Sequence, residues 1–95
     1  MNLTNHEQSI PIAIQSVSPT IARDEIVLAM ESLVEKEMVI NFYNTLGKVV
    51  KTETRHIEIG INRLNFNVRH EKSGMYFIQT SEGYGRNMPL KFMKM

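Results

Sequence analysis

The sequence predicts an antiparallel β-sandwich of about seven short strands. Three observations predict it. From Met38 to Met93, apolar and polar residues alternate with the period of two that a half-buried strand requires. Turn signals punctuate the alternation at Asn44-Thr45-Leu46-Gly47, Gly60, Ser73-Gly74 and Glu82-Gly83-Tyr84-Gly85. The runs between them are short and evenly spaced, as in sandwiches.

Residues 1–9 are polar and read as a tail or linker, leaving 10–95 as the folded domain. Pro11 and Pro19 bracket Ile12-Ala13-Ile14, which suits an edge strand because an edge tolerates a missing N–H. Residues 21–38 pull two ways. Their Ala, Glu, Leu, Met and Lys favour helix, and on propensity alone helix leads. The strand reading points Ile26, Leu28 and Met30 inward and Glu25, Val27 and Ala29 outward, with a turn from Ser32 to Lys36. Met38, Ile40 and Phe42 then alternate with Val39, Asn41 and Tyr43. Gly47 supplies the positive φ of the hairpin loop, and Val49 and Val50 open the return strand. Leu64, Phe66 and Val68 alternate with Asn65, Asn67 and Arg69. Met75-Tyr76-Phe77-Ile78 is wholly apolar, as a central strand would be. Tyr76 falls where sandwiches place a tyrosine that ties a corner together. Met88, Leu90 and Phe92 alternate with Pro89, Lys91 and Met93 in the last strand.

Ninety-five residues make one domain, large enough for a core but with little margin. There is no cysteine, which excludes disulfides and thiolate metal sites. Residues 1–47 hold two basic and six acidic side chains, a net −4, and residues 48–95 hold nine and four, a net +5. The overall charge of +1 is too small for a phosphate-tracking surface, so nucleic acid is not an expected partner. No apolar run approaches the ~20 residues of a membrane-spanning helix. The first residues have neither a basic n-region nor an apolar h-region, so the signal peptide of an exported protein would lie upstream.

Residues that could carry chemistry are sparse. His6, His56 and His70 read as isolated surface histidines, since a metal site needs three or four convergent ligands. Asp24 and Glu25 are adjacent and point to opposite faces of a strand, while Glu31, Glu35 and Glu37 read as solvated charges near a turn. Gly-X-Ser-X-Gly does not occur, and Gly83-Tyr84-Gly85 lacks the helix and third glycine of a phosphate cradle. Met30, Met38, Met75 and Met88 read as core filling. No acid, base or nucleophile constellation marks an enzyme, and no cofactor is expected.

Several segments together resemble the type IX secretion C-terminal sorting domain (Por secretion type A) of Bacteroidota. They are Pro19-Thr20-Ile21, Tyr43-Asn44-Thr45-Leu46-Gly47, Gly60-Ile61-Asn62, Gly74-Met75-Tyr76-Phe77-Ile78 and Lys91-Phe92-Met93-Lys94-Met95. Order and spacing agree over roughly residues 16–95. Two departures are the opening, usually Pro-Asn-Pro, and the wholly polar Arg69-His70-Glu71-Lys72. The resemblance implies an immunoglobulin-like sandwich, with residues 25–31 in a strand. It implies a non-catalytic signal that sends an upstream passenger through the periplasm and across the outer membrane to the cell surface or medium. The implied partners are the outer-membrane type IX machinery and a cell-surface sortase that usually cleaves the domain off. Lys91, Phe92, Met93, Lys94 and Met95 are the expected recognition element; Tyr43, Asn44, Gly47, Gly74 and Tyr76 are the expected structural motif. The alternative is a small stand-alone immunoglobulin-like adhesion or carbohydrate-binding module, for which Tyr84 is the candidate loop aromatic.

Overall fold

The computed structural model describes residues 12–80 and 90–95. The turn expected around Gly83, the tail at 1–9, Met88 and Pro89 therefore lie outside the described residues, as do His6 and Tyr84.

Among the described residues, eight strands form two sheets. They are β1 (Ile12–Ser18), β2 (Ile21–Ala22), β3 (Glu25–Ser32), β4 (Lys36–Tyr43), β5 (Val49–Ile57), β6 (Gly60–Asn67), β7 (Gly74–Thr80) and β8 (Leu90–Lys94). One sheet has three strands in the order β1-β3-β6, the other five in the order β2-β8-β7-β4-β5. All pairings are antiparallel except β2 with β8, which run parallel. The eighth strand is the two-residue β2, which follows the cis Ser18-Pro19 bond. It runs beside the end of β8, so β8 is covered there rather than a free edge. β1 is an edge strand, as its flanking prolines predict.

Residues 25–32 are strand, not helix. The burial of Ile26, Leu28 and Met30 has period two, and β3 is flanked on both sides by β1 and β6. Tertiary pairing therefore overrides the helical preference of Ala, Glu and Leu. Ala29 is directed outward as predicted, but its small side chain is buried between cross-strand neighbours Ser16 and Arg63.

The core lies between the sheets. Ile26, Leu28, Met30, Leu64 and Phe66 come from one side; Met38, Ile40, Phe42, Ile57, Tyr76, Ile78 and Phe92 come from the other. Phe42 joins the two, edge-on to Phe66 at 5.2 Å and to Phe92 at 6.1 Å. At the open side, Arg55 on edge strand β5 reaches across. Its guanidinium lies 4.3 Å from the centre of the Phe66 ring and donates to the Asn65 carbonyl. Glu53 pairs with Arg55 at 2.9 Å and with Lys51 at 3.3 Å. Inward-leaning charges on an edge strand discourage pairing with another chain.

Candidate recognition surface

The family-type motifs are turn chemistry. In the β4–β5 loop, Asn44 Oδ1 accepts from the backbone N–H of Leu46 at 2.9 Å and of Lys48 at 3.0 Å. Gly47 takes φ +81°, which a side chain disfavours. Asn62, buried, does the same work in the next connection, where the chain crosses from β5 in one sheet to β6 in the other. Its Oδ1 accepts from Glu58 N–H and its Nδ2 donates to the Glu58 carbonyl, both at 2.9 Å. Tyr76 is buried, stacks on Phe92 with centroids 5.5 Å apart, and donates its hydroxyl to the Lys72 carbonyl at 2.6 Å. That bond closes the polar β6–β7 loop, as the corner-tyrosine reading predicts. Burial, and secondarily the negative charge of Glu71, pushes the Tyr76 phenol above its ordinary value.

Gly74 faces Lys94 across the β7–β8 ladder. The terminal segment Lys91–Met95 is divided by its own alternation. Phe92 and Lys94 point inward; Lys91, Met93 and Met95 are exposed. Lys94 is only 7% exposed and bonds its ammonium to the main-chain oxygen of Met95 at 2.9 Å, so it is not the freely projecting lysine expected of a terminal recognition motif. It falls two residues from Phe92 and shares its face.

Two further expectations need correction. His56 is exposed but not isolated. Its Nε2 lies 2.8 Å from Glu35 and its Nδ1 3.0 Å from Glu37, its direct partner across the β4–β5 ladder. The hydrogen bond to Glu37, then that to Glu35, raises the imidazole above its ordinary 6.5. Glu35, His56 and Glu58 bring one ligand atom each within 4.8 Å of one another, all on exposed residues. Met75, read as core filling, is directed to the outer face of the five-stranded sheet and is half-buried; Met30 and Met38 are fully buried. Among the described residues, no helix is long and apolar enough to cross a membrane.

An eight-stranded sandwich whose signature residues lock turns defines a class of small all-β domains. Residues 16–94 match the family described as the secretion system C-terminal sorting domain. The chain belongs to that family, the type IX secretion C-terminal sorting domains. The family is in general non-catalytic. A search of curated proteins finds no match. Among solved structures, a β-glucosidase from Erythrobacter marinus aligns with 88% of this chain at 7% identity and a TM-score of 0.47. The chain covers 15% of that protein's length.

Proposed function

We propose that this domain is the export signal of an upstream passenger, carried by residues 10–95, with 1–9 as the linker. The outer-membrane type IX machinery takes the passenger from the periplasm to the cell surface, and a sortase then removes the domain. The family match over residues 16–94 carries this reading. The exposed part of the terminal segment, Lys91, Met93 and Met95, is the portion a receptor can touch. Phe92 and Lys94 hold the strand that presents it.

Removing the last five residues would take Phe92 from the core and unfold the domain, so the test uses point variants. The 95-residue chain is fused behind a signal peptide and a reporter in a host with type IX machinery. Lys91→Ala changes an exposed residue and should alter stability by less than about 0.5 kcal/mol. Export of the intact fusion, slowed in the Lys91→Ala/Met95→Ala variant at unchanged melting temperature, is the expected result. Unchanged export of that variant refutes the role of the terminus.

A further inference from the structure

The two outer faces of the sandwich differ in kind. The three-stranded sheet shows solvent Ser16, Ser18, Glu25, Glu31, Arg63, Asn65 and Asn67, a largely polar exterior with Ile61, half-buried Val27 and buried Ala29 among them. The five-stranded sheet shows a band of apolar side chains. Ile21 on β2 is the direct partner of Met93 on β8, and Met93 is the partner of Met75 on β7. One rung along, Lys91 pairs with Phe77, Phe77 with Tyr43, and Tyr43 with Val49 on β5. The band thus crosses all five strands. It is genuinely open: Ile21 is 61% exposed, Met95 56%, Val49 42% and Met93 40%.

A strand apolar on both faces is normally covered on both. β7 reads Met75-Tyr76-Phe77-Ile78, yet among the described residues the fold buries Tyr76 and Ile78 and leaves Met75 and Phe77 half-buried on the other face. The sequence therefore describes a sheet with a second cover. Contiguous exposed apolar area of this kind marks an interaction surface.

Charge narrows the occupant. Among the described residues, the strands of this face carry Lys91 and the neutral phenol of Tyr43 within the band, and Glu37 and His56 at the far corner, where Glu35 also reaches His56. Glu37 lies six residues along β4 from Tyr43, about 20 Å at the rise of a strand, and already binds His56. A two-fold dimer through this face would set Lys91 against a copy of the same band, and among the described residues the carboxylates of this face, Glu35 and Glu37, are bonded to His56 at the far corner. An apolar surface carrying a carboxylate does answer it.

We infer that the outer face of the five-stranded sheet, centred on Ile21, Met93, Met75 and Phe77 with Lys91 among them, is where a protein partner with an acidic, apolar surface docks. This rests on the sorting reading above and places the recognised signal on an assembled face rather than in the terminal segment alone. Ile21 is the discriminating residue, because the fold brings it to the terminus from the other end of the sequence.

The fusion assay tests it with a matched pair. Ile21→Glu and Ile61→Glu make the same chemical change at two exposed isoleucines on opposite faces. Ile21→Glu is expected to lower the export rate at least about tenfold, the factor an interface anchor commands, with its melting temperature near that of the intact chain. Ile61→Glu should export normally. Lys91→Glu should also fail, and Lys91→Arg should be exported. Normal export of Ile21→Glu, or equal loss from both isoleucine variants, overturns the inference while leaving the sorting function standing. Failure of the intact fusion strikes the sorting function itself. A dimer of the 95-residue chain in sedimentation that Ile21→Glu dissociates, with export unaffected, would overturn the inference in favour of a second copy.

Discussion

Truncating Tyr76 probes core and corner together. The ring stacks on Phe92 and the hydroxyl closes the β6–β7 loop through the Lys72 carbonyl. Tyr76→Phe keeps the ring and loses one hydrogen bond, which costs about 0.5–1.5 kcal/mol. Tyr76→Ala loses the ring as well and leaves a cavity beside Phe92, for a total of about 3–5 kcal/mol. A domain of this size is stable by roughly 5–14 kcal/mol, so the alanine variant forfeits a large share of it. Equilibrium urea unfolding followed by circular dichroism separates the two. The phenylalanine variant should lower the midpoint modestly, corresponding to a fall in melting temperature of about 4–8 °C per kcal/mol. The alanine variant should lower it several times further. An alanine variant with an unchanged midpoint would mean that Tyr76 is not part of the core, and the packing described for β7 and β8 would be wrong.

Three further outcomes follow from the same geometry. Gly47→Ala forces a side chain into φ +81° and should cost about 1–2 kcal/mol by the same urea titration, whereas a neutral result would contradict the turn. Because the His56 imidazole is raised by Glu37 and Glu35, its contribution to stability is full below 6.5 and is lost as pH climbs through the higher folded value. Melting temperature should therefore fall slightly from 6.5 upward, and His56→Ala should flatten that slope; an identical slope in both proteins would refute the clamp. Lys94→Met keeps the buried stem and removes a charge bonded to one main-chain oxygen, so it should unfold no more easily than the parent. A loss above about 2 kcal/mol would show that the ammonium holds the strand end.

Much of the sandwich is legible residue by residue. Asn44 and Gly47 announce their hairpin because the Asn side chain and a positive φ are local needs. Tyr76 is legible because a phenol beside a short polar loop has an acceptor within reach. Residues 21–38 mislead, since propensity is local and the pairing that makes β3 a strand is supplied by β1 and β6. β2 carries no periodic signal in its two residues and exists through its ladder with β8. The His56 clamp is hidden by the separation of 19 positions between Glu37 and His56. The inward course of Lys94 was readable from its spacing to Phe92; its charge argued for the surface instead. The outer apolar face needed the assembled sheet, because Ile21, Met75 and Met93 become neighbours only across three strands.

The export function is tested most directly by one comparison. A reporter with a signal peptide is fused to the 95-residue chain and produced in two hosts that differ only in whether the type IX machinery is present. Reporter is expected at the cell surface or in the medium of the first host and in the periplasm of the second. Reporter confined to the periplasm of both, with the domain folded, would contradict it.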